Sequence, residues 1–393
     1  MDKLITVGIP AFNAEDHISD CLASIMVQSV RDEVSVVIAS DNPENNYDFV
    51  KDRFPTLDIT ILSCDHNTGP GLARQRALDA CKTQWITFID ADDVFLNPFA
   101  LENLKNSIMI NCIEVQADFL QEVKEGNLSF LEKQQLMQNN CTVPPRYVAK
   151  TDIFHPWVFG RLYNVKFLRD NKIEFSALRA MEDGEFNWKI RMLIEGSPLQ
   201  ICKISEPVYL WRTGSEHSIT RIGADKNGGE PLYNNDLCLV GSSVAAINAI
   251  KFCKSRNPFN GGVTRFTTEQ MIGHYFSYIK SLEKSPMFAD QIFFNAKRFY
   301  NLVYKDIENQ ISADILKDLY TRQYVGESFS MIGIIPKITF FDFMKRLKNE
   351  PFGSKEEFDS IRSKLPEWVI ELDKKSGVLG DEGYIYATGE EMK

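Results

Sequence analysis

Apolar residues in the first hundred positions fall into two alternating patterns. Leu4–Ile9, Val34–Ala39, Ile59–Ser63 and Trp85–Ile89 are short, continuous, β-branched or aromatic runs. Such runs are the signature of strands buried on both faces of a parallel sheet. Between the first two, Ile18, Cys21, Leu22, Ile25 and Met26 recur at helical spacing within Ala14–Ser29, one face of an amphipathic helix. Asn46–Phe54 predicts a short helix stopped by Pro55, Gly71–Cys81 a longer one, and Pro98–Ile108 another. Strand and helix in alternation predict an α/β fold, a mostly parallel sheet with helices on both faces. Cys112–Glu125 suggests a further strand, Met181–Leu193 a helix and Ile201–Trp211 a strand, with Pro144-Pro145 as a connection.

Beyond Asp225–Gly229 the spacing turns helical: Asn235–Lys254, Thr268–Glu283, Ala289–Ile307 and Ala313–Arg322. A boundary near residue 225 would separate an N-terminal domain, 1–225, from a mainly helical domain, 226–393. Ile332–Phe341, broken by Pro336 and followed by Lys345, Arg346 and Lys348, suits a core segment. A membrane-surface contact is the lesser alternative.

Composition narrows the class. The chain has 393 residues, and 44 basic against 54 acidic side chains leave a net charge of −10. That balance argues against a broad electrostatic grip on nucleic acid. The eight cysteines are scattered without a Cys-Xaa-Xaa-Cys pair, as expected of reduced core thiols. No apolar run reaches the ~18 residues a bilayer span needs. Met1-Asp2-Lys3 leads straight into a strand pattern without a signal peptide, so the expected location is cytoplasmic.

Candidate chemistry gathers where strands end. Asp90, Asp92 and Asp93 follow the Trp85–Ile89 run, at the strand end where open α/β sheets bind ligands. Carboxylates so close repel one another unless a cation or donors lie among them; the same acids would also suit a turn capping the next helix. Gly69-Pro70-Gly71 opens a helix carrying Arg74 in its first turn, an arrangement that favours an anion. A second acidic pair, Glu182-Asp183, opens the helix Met181–Leu193. It suits proton abstraction from a hydroxyl, or simply an acid-rich helix start.

Six segments in order carry a resemblance: Val7-Gly8-Ile9-Pro10-Ala11-Phe12-Asn13, Ser40-Asp41, Asn67 to Arg74, Phe88 to Asp93, Met181-Glu182-Asp183, and Arg212 with Ser218-Ile219-Thr220. From Leu4 to about Arg221 the chain resembles the family 2 glycosyltransferases of the GT-A fold. The resemblance implies a nucleotide-sugar half over about 1–100 and an acceptor half over about 101–225. It implies Asp92 as direct ligand of Mn2+ or Mg2+, with Asp90 beside the ribose or metal and His217 as a further ligand. Pro10, Ala11 and Phe12 would meet the base and ribose, and Asp41 would read the base. Gly71 and Arg74 would face the pyrophosphate, with Arg76 turned to solvent, and Arg212 would touch diphosphate or metal. Asp183 would be the catalytic base and Glu182 would position the acceptor, with Trp157 on the acceptor side. Ser40 and Gln75 depart from the family's acid and Asn at those positions.

The implied activity is inverting, metal-dependent transfer from a nucleotide diphosphate donor, a UDP-sugar, to a hydroxyl of a glycan or surface polymer. One alternative is a phage-type transferase acting on a hydroxymethylated DNA base, with Lys251, Lys254, Arg256 and Arg265 as candidate DNA contacts. Another is a non-catalytic binding module on the same fold. The C-terminal helices would bind acceptor or pair subunits into a homo-oligomer.

Overall fold

The computed structural model describes residues 3–122, 147–150, 156–178, 180–212, 238–256, 261–284, 286–327, 336, 338–350, 354–367 and 369–370. The chain divides into two compact units, residues 1–177 with 197–216, and residues 178–196 with 217–393. The helix that carries Glu182 and Asp183 groups with the second unit, whereas the boundary near 225 had placed it in the first.

The first unit is built on a nine-stranded sheet. Its strands are β1 (Ile5–Ala11), β2 (Val34–Ser40), β3 (Asp58–Leu62), β4 (Trp85–Phe88), β5 (Val94–Phe95), β6 (Cys112–Glu122), β7 (Tyr147–Lys150), β8 (Arg161–Asn164) and β9 (Gln200–Trp211). Eight stand in the order β3-β2-β1-β4-β8-β6-β9-β5, and β7 pairs beside β6. The block β3-β2-β1-β4 is parallel throughout, with Gly8 opposite Phe88 and Ala11 opposite Ser40. Its central strands β1, β2 and β4 are buried on both faces, which accounts for their unbroken apolar runs.

Past β4 the sheet is mixed. Strand β8 runs antiparallel between β4 and β6, while β6 and β9 pair in parallel. Parallel pairing is thus unbroken over β3-β2-β1-β4 and interleaved with antiparallel pairs beyond. The short strand β8 runs straight into the helix Val165–Asp170, so no apolar run long enough to mark it precedes the helical pattern.

Besides the helix Val165–Asp170, the described residues set four helices with this sheet: α1 (Ile18–Met26), α2 (Phe49–Arg53), α3 (Pro70–Ala80) and α4 (Ala100–Asn106). Helix α3 packs on β1 and β2. Its close approach depends on Gly8, where an added Cβ would stand 3.0 Å from two Phe88 ring carbons and 3.1 Å from the Ala77 Cβ. Phe88 is itself held edge-on by Phe175 at 5.3 Å, so the ring has little room to yield. Gly8→Ala is expected to cost about 1–3 kcal/mol by overpacking, read as a lower urea midpoint with an unchanged slope.

The chain runs outward from β1 through β2 to β3, then crosses back to β4 on the other side of β1. The carboxyl ends of β1 and β4 thus flank a topological switch point, where doubly wound sheets bind their ligands.

The second unit is helical, with helices Glu182–Ile194, Cys238–Arg256, Gly261–Lys284, Ala289–Phe299, Ala313–Glu327, Phe340–Asn349 and Lys355–Arg362. Tyr275, Phe276, Phe299 and Phe343 lie in its core. Residues 328–335 and 337 lie outside the described residues; at the end of the Ile332–Phe341 segment Phe340 meets Tyr275 edge-on at 5.4 Å, while Phe341 is 75% exposed. Among the described residues no helix is long and apolar enough to cross a membrane.

Candidate functional site

At the edge where β2 ends, Asp41 is buried and both of its carboxylate oxygens are engaged. Thr68 donates to Oδ1 from its backbone N–H at 3.0 Å and from its hydroxyl at 2.6 Å, and the Gly69 N–H donates to Oδ2 at 2.7 Å. Arg76 closes the group: it donates to the Thr68 hydroxyl and to the Ser40 carbonyl, each at 2.7 Å, and lies 3.3 Å from Asp41 Oδ1. Gly69 has φ 88°, a left-handed conformation that suits glycine. The result is a clasp holding the loop ahead of α3 against the end of β2. Oδ2 takes a single donor among the described residues and retains capacity for one more.

Arg76 is a correction to the sequence-based expectation, which turned it to solvent. Residues two apart on a helix point roughly 200° apart. Helix α3 lies over β1, with β2 and β4 on either side, so two opposed arginines reach both neighbours. Arg76 goes to the end of β2, and Arg74 goes to Asp90 beyond β4 at 2.7 Å.

The turn after β4 holds the three acids in unlike states. Asp90 is ion-paired with Arg74. Asp93 is 1% exposed; it accepts the Tyr209 hydroxyl through Oδ2 and the Arg212 backbone N–H at 2.7 Å through Oδ1. Burial, reinforced by Asp92 and Asp90, pushes its carboxyl well above the usual range. Asp92 has no ion pair and no hydrogen bond to another residue among the described residues, its carboxylate accepting only from its own backbone N–H. Its pKa is raised by burial first and by Asp90 second, with His17 and Arg212 acting in the opposite sense. Its neighbours are committed; Asp92 is not.

The other expected residues distribute as follows. Pro10 and Ala11 close β1, and the Phe12 ring beyond them is 52% exposed. Gly71 is buried in the first turn of α3. The main chain of Arg212 is tied to Asp93, while its guanidinium pairs with Asp20 at 3.0 Å. Trp157 stacks on Phe159 at 5.8 Å and meets Trp211 at 5.9 Å. In the second unit, Glu182 is buried and Asp183 half-buried at the start of the helix Glu182–Ile194. Asp183 Oδ1 accepts the Gly184 N–H at 2.7 Å. His217 and Ser218-Ile219-Thr220 lie outside the described residues.

Two contributors carried no mark in the sequence. His17, just ahead of α1, acts electrostatically on Asp92. Tyr209, an ordinary strand aromatic by pattern, reaches Asp93 across 116 positions of chain.

A hard divalent cation bound with a diphosphate needs one or two carboxylates and takes its remaining ligands from phosphate and water. Asp92 fits that requirement, since burial and the neighbouring Asp90 disfavour its charge by more than His17 and Arg212 offset. Asp90 supports it from beside Arg74. Among the described residues no three or more His, Cys, Asp or Glu side chains converge into a closed metal cage, so most of the coordination would fall to the ligand.

Comparison with known proteins agrees with this geometry. Residues 6–170 match the model of glycosyl transferase family 2. The match covers less than half of the chain. Glycosyltransferase GlyA of Streptococcus pneumoniae is 24% identical over 246 residues, covering 58% of this chain and 33% of GlyA. The UDP-Glc:alpha-D-GlcNAc-diphosphoundecaprenol beta-1,3-glucosyltransferase WfgD of Escherichia coli is 24% identical over 152 residues, 39% of this chain and 53% of WfgD. The crystal structure of S. aureus TarS superposes with a TM-score of 0.53 at 17% identity, over 81% of this chain and 52% of that one. That likeness is one of fold. The chain spans about a third of the length of GlyA and about half that of WfgD and TarS.

Proposed function

We propose that this chain is a family 2 glycosyltransferase that moves a sugar from a nucleotide diphosphate donor to a hydroxyl of a glycan, with inversion at the anomeric carbon. The observation that carries the reading is the uncommitted Asp92 carboxylate in an acidic turn whose other members are satisfied. It stands at the switch-point edge, two positions after the Asp90 that Arg74 of α3 pairs with. The name of the Escherichia coli relative includes UDP-Glc, which supports a UDP-sugar here.

In this reading Phe12 and the Asp41 clasp receive the base, and the Asp41 Oδ2 accepts a base N–H such as uracil N3–H offers. The start of α3 and Arg74 face the pyrophosphate. A Mn2+ or Mg2+ ion held by Asp92 would offset the charge building on the departing diphosphate. The acceptor oxygen attacks the anomeric carbon as the bond to the diphosphate breaks, and Asp183 takes the hydroxyl proton.

The nucleic-acid reading gains no support. Of its candidate contacts, Lys254 pairs with Asp306, Arg265 with Glu269, and Arg256 lies over the Phe252 ring at 3.5 Å.

Thermal stabilisation tests donor and metal together. A matching UDP-sugar with Mn2+ or Mg2+, at about a hundred times its dissociation constant, is expected to add roughly 2.7 kcal/mol of stability. EDTA should remove most of that gain. Absence of a shift with any nucleotide sugar, or a shift indifferent to EDTA, would overturn the donor or the metal part respectively.

A further inference from the structure

We propose that Tyr209 is a positioning residue: its hydroxyl bridges the main chain of Asp90 and the side chain of Asp93, and so fixes where the intervening Asp92 carboxylate is presented. The inference rests on the cation-binding role proposed for Asp92 and extends it to a residue on a distant strand.

The bridge is a closed set of hydrogen bonds. The Asp90 N–H donates to the Tyr209 oxygen at 3.3 Å, and the Tyr209 hydroxyl donates to Asp93 Oδ2. Asp93 Oδ1 accepts the Arg212 N–H at 2.7 Å, and the Asp93 N–H donates to the Asp90 carbonyl at 3.0 Å. Tyr209 and Asp93 are both shut off from solvent, at 0% and 1% exposure, so water cannot replace the hydroxyl. The ring plane is set independently. Tyr209 stacks on Phe159 with centroids 4.4 Å apart and planes 10° from parallel. Strand β5 pairs with β9 so that Phe95 lies opposite Tyr209.

These contacts anchor the turn on both sides of Asp92 while leaving the Asp92 carboxylate uncommitted. A ligand held in this way gains affinity because its orientation is settled before the ion arrives. Partners that orient metal ligands typically change metal affinity or activity about 10–100-fold when removed. Phenylalanine would retain the stacking on Phe159, so Tyr209→Phe removes the bridge and little else.

The test is calorimetric titration of UDP into the full chain, with Mn2+ and separately with EDTA, for wild type, Tyr209→Phe and Asp92→Ala. In Tyr209→Phe the gain in UDP affinity due to Mn2+ should shrink by about 10–100-fold, while UDP affinity in EDTA stays at the wild-type value. A full Mn2+ gain in Tyr209→Phe overturns the proposal, as does an equal loss with and without Mn2+, which would make the bridge a scaffold. If wild type shows no Mn2+ gain, or Asp92→Ala keeps it, the cation-binding reading itself fails, and that result is separate from the Tyr209 arm. Should Tyr209→Phe not fold, Asp93→Asn reads the same quantity. It keeps an acceptor for the Arg212 N–H but supplies an NH2 group where the Tyr209 proton needs an acceptor. If neither variant folds, the role is structural and the proposal falls.

Discussion

Asp92→Asn is expected to reduce sugar transfer by about a thousandfold or more while leaving the protein folded. A cation assisting departure of a diphosphate contributes several kcal/mol to the transition state, and each ~1.36 kcal/mol is a factor of ten. Asparagine keeps the shape of the side chain but offers a neutral oxygen, which binds a hard divalent ion far less well than a carboxylate. The folded state should not suffer. The Asp92 carboxylate is half-buried beside Asp90, and no ion pair or hydrogen bond to another residue among the described residues depends on it. Rates at saturating donor and acceptor, with Mn2+ varied over a wide range, check the first part. A thermal melt without ligand checks the second, with a midpoint equal to or above wild type as the expected result. Transfer within tenfold of wild type would remove Asp92 from the mechanism.

The contrast between Asp92 and its neighbours shows what the sequence reveals and what it hides. Three acids after a buried strand are visible as a motif, and the strand is legible because burial on both faces demands an unbroken apolar run. The division of labour among the acids is invisible, since it depends on what reaches them from elsewhere. Arg74 comes from α3 and Tyr209 from the far end of the sheet. Asp41 is a similar case. The sequence marks it as a turn acid at a strand end. Its engagement with Thr68, Gly69 and Arg76 follows only once β2 and the loop ahead of α3 are adjacent. Strand β8 escaped notice for a different reason: a strand that short, leading directly into a helix, offers no periodicity to read.

Asp183→Asn carries the second large effect, about 10²–10⁴-fold on turnover. The substituted side chain keeps an oxygen to accept the Gly184 N–H, the bond that Asp183 Oδ1 makes at 2.7 Å, so the local geometry of the helix start is preserved. It loses the capacity to take a proton. If Asp183 is the base, the acceptor hydroxyl must lose its proton unaided, and turnover falls while UDP affinity stays at the wild-type value. The competing role is electrostatic. Glu182, Asp183 and Glu185 all lie in the first turn of the helix, where each acid contributes about 0.3–1 kcal/mol through the helix dipole. Under that role Asp183→Asn lowers the melting midpoint slightly and leaves turnover intact. Measuring turnover, UDP affinity and melting on the same preparation separates the two, because a base and a helix-end charge move different members of the set.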